Sequence, residues 1–391
     1  MSQLLESRWS ETKDALLEGL QGNKRTVMAT TLENTRTYLN ESATAGATSA
    51  GNVATLNRVI LPVIRRVMPT VIANELVGVQ PMTGPVGQIH TLRVRYADAF
   101  NSGSGTDTTA GDEALSPFKI AEGYSGATND KAASTAALEG VAGNRLSIQI
   151  LKQTVEAKTR KLSARWTFES AQDAQSMHGI DVEAEIMAAL AQEITAEIDQ
   201  EVLASLNTLA GSAGQTYDQA AVSGTATFVG DEHAALAVQI NRVSNQIAQR
   251  TRRGAGNWAV VSPFALTILQ SATTSAFART TEGSFEAPTN TKMVGTLNNA
   301  MKVYVNTYAA DNANVLIGYK GSSESDAAAF YCPYIPLMSS GVVLDPGTFE
   351  PTVSFMTRYG YIELSNTASS LGNAADYLGA VAITDGNVTF S

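Results

Sequence analysis

The sequence predicts an α+β fold built from several subdomains, on three observations. Gly179 to Leu209 reads as one long helix. Apolar residues that alternate with polar ones, at Leu92–Tyr96 and again at Leu146–Ile150, mark two strands joined by a long polar excursion. From Asp231 onward, helical periodicity alternates with short apolar strands, the pattern of a compact α/β unit around a sheet. At 391 residues the chain also exceeds what one core usually holds.

The long helix has a clear start. Asp181 can accept hydrogen bonds from the first exposed amides, and Glu183 and Glu185 suit the positive end of the dipole. Its large apolar residues, Val182, Ile186, Leu190, Ile194, Ile198, Val202 and Leu206, recur every four positions. On a 3.6-residue period such a stripe advances about 40° per step, so one flat partner cannot cover it. The helix, roughly 45 Å long, is expected to be a spine that meets different elements along its length.

Taken in order, the chain begins with an amphipathic stretch in Ser2–Glu41, with Leu4, Leu5, Trp9, Leu16, Leu17 and Leu20 near helical spacing, and a small-residue linker, Ser42–Asn52, follows. This reads as an arm that must dock on its own body or on a neighbour's. Leu56–Tyr96 passes from an apolar helical run containing Arg65 and Arg66 through the turn VQPMTGPVG into a strand. There Leu92, Val94 and Tyr96 alternate with Arg93 and Arg95, the period of a half-buried strand. The Arg65–Arg66 pair, in an acidic protein, is expected to meet carboxylates. Large apolar residues are scarce from Ala97 to Gly143, and the flanking strands favour an extended β-arm that lies on something else.

Beyond the spine, Asp231–Arg253 is a helix with Leu236, Ile240, Val243 and Ile247 on one face; Asn257–Ser262 is a strand, and Pro263 opens the next helix. Short strands are expected at Lys302–Tyr308, Asn314–Tyr319, Ala329–Cys332 and Gly341–Leu344. Thr352–Leu364 is a last long strand, and the tail after it is polar and small.

Charged residues make up 16% of the chain, against roughly 25% in an ordinary globular protein. Low charge fits a surface covered by neighbours, because interface cores are depleted in charge. A net charge of −10 argues against a general nucleic-acid binder. The charges are also in blocks: Trp166–Asn241 holds twelve Asp and Glu and no Lys or Arg, while Arg145–Arg165 holds six Lys and Arg and one Glu. Such blocks are either solvated faces or complementary surfaces on adjacent copies. Cys332 stands alone, which excludes an internal disulfide and suits a reducing compartment. The N-terminus has acids throughout and no apolar core, so it is no signal peptide. No apolar run reaches the ~18 residues a membrane helix needs.

Enzyme signatures fail one by one. His90, His178 and His233 are far apart, there is no HExxH or paired Cys, and neither a nucleophile elbow nor a P-loop occurs. GAGNWA from Gly254 precedes a strand rather than following one, the wrong order for a dinucleotide turn. No catalytic, cofactor or metal site is expected.

Two motifs point elsewhere. IRRVMPTVIANELVGVQPMTGPVGQI, Ile64–Ile89, resembles the major head protein of contractile-tailed bacteriophages through Arg65, Arg66, Pro69, Gly78, Val79, Gln80, Pro81, Met82, Gly84, Pro85 and Gly87. LDPGTFEPTVSFMTRYGYI, Leu344–Ile362, is similar to that family's return strand. The resemblance implies the tailed-phage capsid fold: N-terminal arm 1–56, start of the peripheral (P) domain 57–96, extended E-loop 97–144, P domain with spine helix 145–211, axial (A) domain 212–335, and P-domain return strand with tail 336–391. It implies a structural subunit of an icosahedral head, made in the host cytoplasm and incorporated in the virion, that assembles with copies of itself into hexameric and pentameric capsomers. Vertex, portal, scaffold or decoration proteins are the further partners it implies. DNA is enclosed without specific binding, and no membrane is involved. The interface candidates are Trp9, Leu16, Arg65, Arg66, Arg93, Arg95 and Arg358. The competing readings are an encapsulin-like compartment, which uses a similar fold to hold an enzyme, and an intracellular α/β enzyme.

Overall fold

The computed structural model describes residues 9, 13–14, 17, 22, 25–34, 72–101, 107–112, 114, 123–126, 132–139, 142–178, 181–222, 229–272, 277–279, 292–298, 300–323, 326–348, 350–364 and 374–384. In chain order the strands are β1 Gly78–Val79, β2 Val86–Tyr96, β3 Leu146–Glu156, β4 Lys158–Arg165, β5 Gln215–Tyr217, β6 Trp258–Val261, β7 Phe277–Arg279, β8 Lys292–Leu297, β9 Met301–Val305, β10 Val315–Gly318, β11 Ala329–Ser339, β12 Val343–Leu344, β13 Pro351–Glu363 and β14 Leu378–Ile383. The chain forms two compact units. One comprises Met1–Gly87, Val155–Ala204 and Phe330–Ile362; the other comprises Gln88–Thr154, Ser205–Ala329 and Glu363–Ser391.

The first unit is organised by a sheet in the order β1-β11-β13-β12, with β4 on the other edge of β13. β1 runs parallel to β11, and the Pro-rich turn continues that alignment: the Gln80 and Met82 N–H groups donate to the carbonyls of Tyr331 and Pro333, both at 3.0 Å. Helical residues 25–34 belong to the same unit. Val27, Met28, Thr31 and Leu32 are buried, and the Asn34 side chain donates to the carbonyls of Met82 at 2.7 Å and Tyr334 at 3.0 Å. This part of the N-terminal segment docks on its own body.

The spine helix, Val182–Ala210, starts as expected, with Asp181 Oδ1 accepting from the Glu183 N–H at 3.1 Å. Its cover follows the drifting stripe. Leu190, Ile194, Ile198, Val202 and Leu206 are buried, and so is a neighbouring row, Met187, Ala191, Thr195, Asp199 and Leu203. The exposed positions, Glu185, Ala189, Glu193 and Glu197, advance by the same four-residue step. The boundary between the two units falls within this helix, after Ala204.

The second unit holds a seven-stranded sheet in the order β5-β14-β10-β6-β9-β8-β7. The helices Val229–Thr251 and Pro263–Ser271 pack Leu236, Ile240, Val243, Ile247, Ile268 and Leu269 against Val303, Val315, Ile317 and Val381 of the sheet. The second helix begins as the sequence suggests, with Ser262 Oγ accepting from the Ala265 N–H at 3.2 Å ahead of Pro263.

Two departures from the sequence expectation stand out. β11 and β12 lie in the five-stranded sheet rather than with the α/β strands. And the tail, read as merely polar and small, contains β14, which pairs parallel with β5 and antiparallel with β10. LGAVAI lacks the β-branched and aromatic density that marks a strand. Its small residues have a packing reason, since a Cβ on Gly379 would collide with the Val243 side chain of the covering helix.

Gly318 makes a similar concession. It lies directly opposite Trp258 in the β10–β6 ladder, and a Cβ there would run into the indole ring. Gly318→Ala should therefore destabilise the chain by about 1–3 kcal/mol, the usual range for overpacking a filled core. Urea unfolding monitored by Trp fluorescence checks this; a midpoint unchanged from wild type would contradict it.

Candidate assembly surface

The hairpin β2–β3 carries the main departure from the strand expectations. Three contacts fix an antiparallel register: Ala97 N–H to the Arg145 carbonyl at 2.9 Å, Ala157 N–H to the Pro85 carbonyl at 2.9 Å, and Ser147 Oγ to the Arg95 carbonyl at 3.4 Å. In that register Leu92 is opposite Ile150 and Val94 is opposite Ile148, all on one face. The sequence suggests that this apolar face is the buried one. Instead Leu92 is 64%, Ile148 68% and Ile150 66% exposed, with Val86 and Leu146 also exposed, while Arg93 on the opposite face is 4% exposed. The alternation is real, but the side covered within the chain is the one that carries Arg93 and Val155. What should cover the other side is not in this chain's described residues.

At the far end of the hairpin the polar excursion folds on itself. Tyr96, Ala114 and Tyr124 form a small core joined by Phe100, with the Tyr96 and Tyr124 rings 4.6 Å apart. The Tyr124 hydroxyl donates to the Arg145 carbonyl at 2.7 Å, and Asp98 and Arg145 form an ion pair at 3.0 Å. The Arg145 hydrogen bonds hold the Asp98 carboxyl below its ordinary range. These contacts tie both feet of the excursion together and give the hairpin a defined end.

The interface candidates fall in different places. Trp9 is half-buried, its indole N–H donating to Glu33 Oε2 at 3.3 Å. Arg93 is buried. Arg358 stacks over the Tyr334 ring at 5.3 Å, and its Nε, like that of Arg95, is buried without an acceptor. Leu16, Arg65 and Arg66 lie outside the described residues. Of the described candidates, Trp9 and Arg358 belong to the first unit and Arg93 and Arg95 to the second.

A cluster the sequence did not reveal lies in the first unit. Arg160 on β4 donates from Nη1 to Glu197 at 2.7 Å, from Nη2 to Glu201 at 2.5 Å and from Nε to the Tyr359 hydroxyl at 2.6 Å, and that hydroxyl donates to Glu201 in turn. It joins β4, the spine helix and β13. Burial raises the Glu201 pKa, but the Arg160 and Tyr359 hydrogen bonds outweigh it and hold the carboxyl below its usual range. The three residues are 37 or more positions apart from Arg160 along the chain, so no local spacing announces them. Among the described residues no cluster of His, Cys, Asp and Glu could hold a metal ion, and no helix is long and apolar enough to cross a membrane.

The family model for the Gp23 major capsid protein matches residues 53–383. The chain belongs to the Gp23 major capsid protein family. It is 30% identical over 421 residues to the major capsid protein of Vibrio phage KVP40, an alignment covering 85% of this chain and 81% of that one. To the major capsid protein of Enterobacteria phage T4 it is 31% identical over 411 residues, covering 81% and 76%. Among solved structures, the capsid of Myoviridae phage XM1 aligns with a TM-score of 0.45 at 11% identity, covering 80% of this chain and 91% of that one. The chain is thus a structural shell subunit of a tailed phage and a component of the virion. An encapsulin-like compartment is not favoured.

For this shell subunit the Arg160 cluster sets an expectation. The Arg160, Glu197 and Glu201 side chains are 30–46% exposed, so their ion pairs are partly screened. Arg160→Ala should cost about 1–2 kcal/mol of stability near pH 7. A carboxyl with a lowered pKa in the folded state contributes stability above its unfolded value, which is lost as pH falls through the folded value. The difference between wild type and variant should accordingly shrink in acid. Denaturant titrations at pH 7 and pH 3 test both points, and a gap that is zero at pH 7, or constant with pH, would contradict them.

Proposed function

We propose that the subunit assembles with copies of itself into hexameric capsomers, with pentameric ones at vertices, that close an icosahedral shell around double-stranded DNA. The observation that carries this reading is the bare apolar face of the β2–β3 hairpin: a stripe of Leu92, Leu146, Ile148 and Ile150 exposed on a two-stranded arm. Burying each of these side chains would contribute roughly 1.5–3 kcal/mol, and repetition around a ring multiplies such gains. The arm lies on an adjacent subunit and can adapt to curvature while the sheets stay rigid.

The regional layout we assign is an arm at 1–56, P-domain segments at 57–96 and 145–211, an E-loop at 97–144, an A domain at 212–335 and a return strand within 336–391, with β14 counted with the seven-stranded sheet. Trp9, Leu16, Arg65, Arg66, Arg93, Arg95 and Arg358 remain the proposed contact residues. Vertex, portal, scaffold and decoration proteins are the proposed further partners. The subunit has no catalytic role, is made in the host cytoplasm, and encloses DNA without binding it tightly, which its net charge of −10 supports.

Ile148→Asp combined with Ile150→Asp tests the proposal. Both positions are exposed in the subunit, so its stability should stay within about 0.5 kcal/mol of wild type, while closed particles disappear from electron micrographs. Normal particles from the double variant would refute the role of the arm.

A further inference from the structure

The spine helix carries one ionisable group where every neighbour in its row is apolar or internally satisfied. Asp199 is 1% exposed, one turn beyond Thr195, whose hydroxyl donates to the Ala191 carbonyl, and one turn before Leu203. Its Oδ1 accepts the backbone N–H of Ile72 at 2.8 Å, across 127 residues of sequence. Ile72 precedes the short helix Ala73–Leu76, which has no side-chain cap of its own and leads directly into β1. Asp199 therefore ties the entry of β1 to the spine. The second oxygen, Oδ2, is buried and has no hydrogen-bond partner.

We propose that Asp199 is a proton-operated latch: its neutral acid form holds the Ile72–Val79 entry closed against the spine helix, and its ionisation favours opening of that entry. An isolated carboxylate buried without a cation is strongly disfavoured, and such a group keeps its proton instead. Among the described residues, the groups around it do not offset the charge. Tyr331 on β11, whose pKa is raised first by burial and then by Tyr359 and Asp199, stands beside Tyr359 and Cys332, and none of these is a cation. Glu75 is on the entry turn itself. The guanidinium of Arg160, on β4, is taken up by Glu197, Glu201 and Tyr359. Burial pushes the Asp199 carboxyl up to about 7, and the Ile72 hydrogen bond only partly opposes it.

The sign follows from linkage. The folded carboxyl titrates near 7 and the open or unfolded one near 3.9. The closed state thus holds a proton the open state has lost between those values. Its advantage is full below about pH 4, falls as pH rises toward 7, and levels off above it.

Hydrogen exchange on the full-length subunit tests the latch. After correction for intrinsic exchange, protection of the Ile72–Val79 amides should fall roughly tenfold per pH unit between pH 5 and pH 7 and flatten above pH 7.5. In Asp199→Asn, which keeps an acceptor but cannot ionise, the same amides should show no such slope. Should that variant fail to fold, the wild type still decides. A carboxylic-acid carbonyl band in its infrared spectrum, titrating near neutral pH together with the loss of protection, supports the latch. Protection that is independent of pH in wild type, or a slope that persists in Asp199→Asn, overturns it.

Discussion

The first unit depends on how the spine helix is covered. A 29-residue helix with apolar side chains at every fourth position presents a stripe that turns steadily about its axis. Covering it takes several elements rather than one. The rows through Leu190–Leu206 and Met187–Leu203 are both buried, and the exposed carboxylates wind with them. Arg160 and Tyr359 bind the helix on its partly exposed side, and Asp199 binds the entry of β1 on its buried side. Apolar burial supplies the bulk of the attraction, while these polar contacts set rotation and register.

The hairpin has the opposite economy. β2 and β3 alternate correctly for a two-faced ribbon, yet Arg93 and Val155 on one side are buried while Leu92, Leu146, Ile148 and Ile150 on the other are exposed. A two-stranded ribbon is marginal alone, and an uncovered apolar face is an invitation to associate. The Tyr96–Tyr124 core and the Asp98–Arg145 pair keep the end of the ribbon folded and cover that face only at its Val94–Tyr96 end, leaving Leu92, Leu146, Ile148 and Ile150 bare. In the proposed assembly folding and association are thereby separated: the fold holds the ribbon in shape, and a neighbour is proposed to supply the cover.

Much of this was legible in the sequence where the signal is local. Asp181, Ser262 and Pro263 mark helix starts, and the Asp231–Arg253 periodicity names the residues that enter the core. Two motifs carried the family. Signals that are not local failed. Alternation gives the period of β2 but not which face is covered, so Leu92 and Arg93 were expected on each other's sides. β14 was missed because its small residues, among them Gly379 where the covering helix leaves no room for a Cβ, dilute strand propensity. The Arg160 cluster and the Asp199–Ile72 bond join residues far apart in the chain, and no spacing rule brings them together. Arg65 and Arg66, prominent in the motif, lie outside the described residues.

The central claim is that the bare face of the hairpin is completed by a second copy of this chain. Electron cryomicroscopy of particles formed by the purified full-length protein tests it most directly. The account requires closed shells in which Leu92, Ile148 and Ile150 are buried against an adjacent subunit; closed shells in which those side chains still face solvent would contradict it.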